Sequence, residues 1–175
     1  CLHDYQLSPG ELINMLESDV LIVNGGGMES FLDKALENND ISVVYASEGI
    51  EWLEGHHELN AHAWLDVSNY IKYVENIKNA AIEVLSENDA EKAKANAEGY
   101  IEELKALETE IKQGIDGLSD KKIITFHEAF DYFAKAYGFE IAAVIELEPG
   151  VNPSPDELKN IIDTVNSLPK KVLFS

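Results

Sequence analysis

Three short segments, His3-Asp4-Tyr5, Asn60-Ala61-His62-Ala63-Trp64-Leu65-Asp66 and Phe126-His127-Glu128-Ala129-Phe130, each place one histidine beside an expected strand end, loop or helix start. Neutral imidazoles suit zinc, copper, nickel and iron, and three of them in one place bind a divalent ion while leaving one coordination position open. Successive segments are about sixty residues apart, far beyond finger-type spacing, so His3, His62 and His127 can act together only on a folded scaffold that converges them. A lone histidine is ordinarily a hydrogen-bonded, partly buried side chain. The neighbouring carboxylates favour the metal reading here: Asp66 follows His62, and Glu128 and Asp131 follow His127, where an acidic group can orient an imidazole from behind.

Other chemistries find less support. His56 and His57, in the acidic loop Glu54-Gly55-His56-His57-Glu58, could capture metal loosely or simply form a solvated turn. Cys1 is the only cysteine, which excludes an intrachain disulfide and a cysteine-based zinc cluster. A first-position cysteine is also what remains when a lipoprotein signal is cleaved and the thiol acylated. Asn24-Gly25-Gly26-Gly27 lacks the Gly-Lys-Ser/Thr of a phosphate loop and the spacing of a dinucleotide fingerprint, so it reads as a strand-to-helix turn. No Gly-x-Ser-x-Gly nucleophile turn occurs. Lysine is the only cation and the formal net charge is −20, a field that repels phosphate backbones and anionic membranes while attracting cations. Nucleic acid is therefore not an expected partner. No apolar run approaches the roughly 18 residues that span a bilayer.

The elements that would position the histidines follow from periodicity and caps. Residues 8–18 start with a serine cap and a first-turn proline and carry Leu12, Ile13 and Leu16 at helical spacing. Residues 20–23 and 41–46 read as short buried strands around a helix at 28–36, and 47–62 as an exposed loop. An amphipathic helix is expected over 68–86 and a long one over 89–115, the latter with its apolar stripe on Ala95, Tyr100, Ile101, Leu104, Leu107 and Ile111. From 122 the order is strand 122–126, helix 127–137 ending at Gly138, strand 139–147, helix to 168 and strand 171–174. Ligands of such parallel sheets collect outside the carboxyl ends of the strands, where His127 is expected.

Taken in order, His-Asp-Tyr-x-x-Ser-Pro at His3 to Pro9, Asn-Gly-x-Gly-x-Glu at Asn24 to Glu29, His-x-Trp-Leu-Asp at His62 to Asp66, and Phe-His-x-Ala-Phe-x-Tyr-x-x-x-x-Tyr-Gly at Phe126 to Gly138 resemble the motifs of the zinc/manganese substrate-binding lipoproteins of bacterial ABC transporters, the cluster A-I metal receptors. The resemblance covers nearly the whole chain. It implies an α/β fold of two small parallel-sheet lobes joined by a long linker helix, here 1–88, 89–117 and 118–175, with metal held in the inter-lobe cleft. Relative to that family the chain is expected to be incomplete at both ends.

Carried over by residue, the resemblance implies His3 and His62 as first-lobe ligands and His127 as the first from the second lobe. Histidine at the third position, where manganese-selective members tend to have glutamate, favours Zn²⁺ over Mn²⁺. Glu29, Asp66 and Asp131 become candidates for orienting the ligands, with His56, His57 and Glu58 accessory. Asn60-Ala61 stands where the family commonly has Asp-Pro. The implied role is non-enzymatic: an extracytoplasmic lipoprotein or periplasmic receptor that passes metal to an ABC permease. A zinc-dependent hydrolase and a metal-stabilised surface adhesion protein are the competing readings. Unpaired sheet edges also lead one to expect self-association.

Overall fold

The computed structural model describes residues 5, 7–37, 39–55, 59–146 and 153–174. By packing, the chain divides into two compact units, Cys1–Glu51 with Val67–Glu108, and Trp52–Asp66 with Thr109–Ser175. The segment that carries His62 groups with the second unit.

In the first unit, helix α1 (Pro9–Leu16) starts where Ser8 accepts the Glu11 N–H at 3.4 Å and the Glu11 carboxylate accepts the Ser8 N–H at 2.8 Å. Such reciprocal capping satisfies two donors that the helix cannot, worth about 1 kcal/mol. Met15 joins Val23 and Leu32 in a core onto which Leu12, Leu21, Phe31, Ile41 and Val43 pack. Ile13, expected on the inner stripe, is 55% exposed, because Leu12 and Met15 set the buried face.

Strands β1 (Leu21–Val23) and β2 (Val43–Tyr45) pair in parallel from Leu21 opposite Val43 to Val23 opposite Tyr45. The helix expected between them is shorter than its pattern: a one-turn 3-10 helix, Ser30–Leu32, leads into the single turn of α2 (Asp33–Leu36). Glu29 precedes it without capping it, since its carboxylate is engaged by the backbone N–H groups of Asn24 and Gly25 at 2.8 and 3.0 Å. Those contacts close the turn after β1, where Gly25, Gly26 and Gly27 all take positive φ that other residues rarely adopt. The chain's own carboxylate thus fills the anion-binding position that a glycine-rich turn offers.

The loop expected to be exposed over 47–62 is exposed at Glu48, Gly49, Glu51, Glu54 and Leu59 but anchored at Ser47, Ile50, Asn60 and Ala61, which are buried. Burial of its polar members is tolerated because each finds a partner; Ser47 donates its hydroxyl to the Asn24 carbonyl. Helix α3 (Val67–Val84) and the 29-residue α4 (Glu87–Ile115) follow. Ser86 caps α4 by accepting the Asp89 N–H at 3.3 Å. Leu104 is buried while Tyr100 and Leu107 are exposed, so the expected stripe is only partly covered. Ion pairs along α4 include Lys92 with Asp89, Lys94 with Glu91 and Lys105 with Glu102, each spaced i to i+3. All are exposed and contribute little.

The second unit holds β3 (Lys122–His127), α5 (Asp131–Tyr137), β4 (Glu140–Glu146), α6 (Pro155–Ser167) and β5 (Leu173–Phe174). Its sheet is parallel throughout, in the order β4-β3-β5. Ile123, Ile124 and Thr125 of the central strand are buried, and Phe133 packs among Tyr137, Phe139 and Phe174 at ring separations of 4.8, 5.5 and 5.9 Å. Gly138 ends α5 in the left-handed conformation expected of it. His127, expected to begin the helix, is the last residue of β3, paired across from Glu146. A turn over 128–130, in which the Ala129 N–H donates to the His127 carbonyl at 2.9 Å, separates it from α5. Among the described residues no helix is long and apolar enough to cross a membrane.

Candidate metal site

β3 is the point where the sheet order reverses. From it the chain passes through α5 to β4 on one side, then through α6 to β5 on the other. In open parallel sheets the crevice at the carboxyl end of such a strand binds ligands. His127 occupies that end, raised on the buried Ile123-Ile124-Thr125 run.

His62 comes from the segment before α3. It precedes a one-turn 3-10 helix, Ala63–Leu65, which packs on α5 with Ala63 fully buried. The two imidazoles meet edge to face, with ring centroids 5.0 Å apart at 79° and Nε2 to Nε2 at 3.3 Å. Trp64 covers the His62 ring at a centroid distance of 5.3 Å.

His62 is held from behind by Asn60. The Asn60 Oδ1 accepts the His62 backbone N–H at 3.0 Å and lies 2.9 Å from its Nδ1, while Asn60 Nδ2 donates to Asp131 Oδ2 at 2.8 Å. Asn60 is only 4% exposed, so these contacts are formed out of water. Tyr132 fixes the same segment: its hydroxyl accepts the Leu53 N–H at 2.8 Å and donates to the Asn60 carbonyl at 3.0 Å. Burial pushes the Tyr132 phenol above its ordinary range, and burial likewise raises the Asp131 carboxyl, against the opposing hydrogen bonds from its own backbone and from Asn60.

Of the residues singled out in the sequence, His62, His127 and Asp131 come together. Asp131 reaches the pair through Asn60. Asp66 follows the 3-10 turn, its N–H donating to the Ala63 carbonyl at 3.3 Å, and Glu29 serves the turn after β1. His3, Cys1, His56, His57 and Glu58 lie outside the described residues. Among the described residues no group of three or more His, Cys, Asp or Glu side chains is arranged to hold a metal ion. Nothing in the sequence pattern assigned Asn60 or Tyr132 a place at the site. An asparagine two residues before a candidate ligand is a legible signal, since its side chain commonly accepts the N–H two residues on.

Two imidazole Nε2 atoms thus converge at the switch point of a parallel sheet in an α/β protein. The chain belongs to the family described as ZnuA, zinc-uptake complex component A, periplasmic, whose model matches residues 1–175. It is 34% identical over 177 residues to the manganese-binding lipoprotein MntA of Halalkalibacterium halodurans, covering 98% of this chain and 59% of the relative. It is 29% identical over 182 residues to the iron-binding protein YfeA of Yersinia pestis, covering 99% of this chain and 58% of the relative. A crystal structure of ZnuA superimposes with a TM-score of 0.83 at 27% identity, over 94% of this chain and 65% of that one. The chain thus spans rather less than two thirds of the length of these proteins.

Proposed function

We propose that this chain is the metal-holding part of an extracytoplasmic receptor, a lipoprotein or periplasmic protein, that binds Zn²⁺ and delivers it to an ABC-type permease. The ligands in this reading are His62, His127 and His3, with Asp131 acting on His62 through Asn60. The protein is a carrier of the ion, not an enzyme, in keeping with its family. α4 is the proposed connecting element between the two units. The net charge of −20 favours the approach of a cation.

The observation that carries the proposal is the 3.3 Å between the two Nε2 atoms. Zinc–nitrogen bonds of about 2.0–2.1 Å at the tetrahedral angle place two ligand nitrogens about 3.3–3.4 Å apart, a separation the two rings already have. A nitrogen-rich donor set supports zinc, while manganese favours oxygen-rich sites. Mn²⁺ is the alternative cargo, since relatives are named for manganese and for iron.

Calorimetric Zn²⁺ titration of the chain beside His3→Ala, His62→Ala and His127→Ala, repeated in competition with Mn²⁺, tests the assignment. Each substitution is expected to weaken Zn²⁺ by more than the roughly 10–100-fold that follows loss of an outer partner. Wild-type affinity in all three variants would refute it.

A further inference from the structure

The Asn60 amide can take only one orientation. Its oxygen accepts a backbone N–H, which can only donate, and its nitrogen faces a carboxylate, which accepts. With Oδ1 thus assigned, the 2.9 Å contact to His62 Nδ1 is a hydrogen bond only if that nitrogen carries the proton. In a neutral imidazole the remaining lone pair then lies on Nε2, the atom 3.3 Å from His127 Nε2.

We propose that Asn60, itself held by Asp131, is a positioning residue that locks His62 in the Nδ1–H tautomer and so presents the Nε2 lone pair to an incoming transition-metal cation before the cation arrives. Its consequence for affinity rests on the metal-receptor reading; the tautomer does not. A free imidazole in water favours the other tautomer and rotates about two side-chain bonds, so each metal capture would have to select both proton position and ring angle. The Asp131–Asn60–His62 chain makes both selections during folding. Because the link in the middle is an amide, the Asp131 charge is relayed by oriented dipoles and is not placed on the ring, leaving His62 a neutral ligand that can release its ion.

The test is long-range ¹H–¹⁵N correlation of the histidine rings in the intact, metal-free chain, paired with Zn²⁺ titration. The wild type is expected to show His62 protonated at Nδ1. Asn60→Ala is expected to move the proton predominantly to Nε2 and to weaken Zn²⁺ by about 10–100-fold. The double variant Asn60→Asp with Asp131→Asn preserves all three hydrogen bonds with the charge moved one residue inward; it is expected to keep the Nδ1–H tautomer and bind Zn²⁺ at least as tightly as wild type. Should Asn60→Ala fail to fold, the wild type and the double variant still decide the matter. An Nε2–H tautomer in either overturns the proposal, as does an Asn60→Ala protein with unchanged tautomer and affinity. Nδ1–H in a wild type that binds no Zn²⁺ supports the positioning role and refutes the metal-receptor reading alone.

Discussion

Tyr132→Phe removes one oxygen atom and leaves two backbone groups to account for. The hydroxyl accepts the Leu53 N–H at 2.8 Å and donates to the Asn60 carbonyl at 3.0 Å, and the residue is 3% exposed. The phenyl ring fills the same space, so the change reads hydrogen bonding and not cavity formation. Asn60 is buried, and its carbonyl left without a donor costs about 1–3 kcal/mol. Leu53 is half-buried, and its N–H recovers part of its bonding from solvent, adding a smaller cost. Together these predict a loss of about 2–3 kcal/mol, roughly 30- to 150-fold in the unfolding equilibrium. The Asn60 N–H still donates to the Leu53 carbonyl at 2.9 Å, so the segment should loosen and not detach. Urea unfolding followed by far-ultraviolet circular dichroism gives the value, with an unchanged slope on denaturant showing that compactness is retained. A loss below about 0.5 kcal/mol would mean that the hydroxyl does not anchor the His62 segment.

Two further outcomes are expected. Hydrogen bonds from Ser8 and then Tyr5 hold the Glu11 carboxyl down at about 2 from an ordinary 4.5. Because the folded value is the lower one, its stabilising contribution is complete above about 4.5 and is lost as pH falls through about 2. Carboxyl ¹³C shifts of Glu11 should report this, and a midpoint near 4.5 would remove the capping box. Among the described residues β1 and β2 form a two-stranded sheet with Tyr45 exposed, so pairing of a second copy along that sheet is expected. Light scattering behind size exclusion should show mass rising with concentration; a constant monomer mass would exclude it.

Local signals in the sequence proved as good as their chemistry. Ser8 was legible as a cap because a serine with a following proline marks a helix start, and in the structure both Ser8 and Ser154 close capping boxes with the glutamate three residues on. The strand-helix alternation of the second unit was legible because β3 and β4 are apolar runs bounded by Gly138 and polar turns. Where side chains were committed elsewhere, the local pattern misled. The helix expected from residue 28 shrank once Glu29 was spent on Asn24 and Gly25, and the loop expected over 47–62 is pinned at Ser47 and Asn60, which found distant partners.

The candidate site divides in the same way. Residue type and the neighbouring carboxylates marked His62 and His127 as candidate metal ligands, since imidazole chemistry does not depend on the fold. That they stand 3.3 Å apart, 65 positions apart in the chain, depended on closing a long loop and on the strand order β4-β3-β5. Asp131 was expected to serve His127 because it lies near it in sequence; packing of the 3-10 turn on α5 directs it through Asn60 to His62. Sequence determined which groups could bind an ion. Only tertiary structure decided which nitrogen of His62 faces His127 and which faces Asn60, because that choice is made by packing.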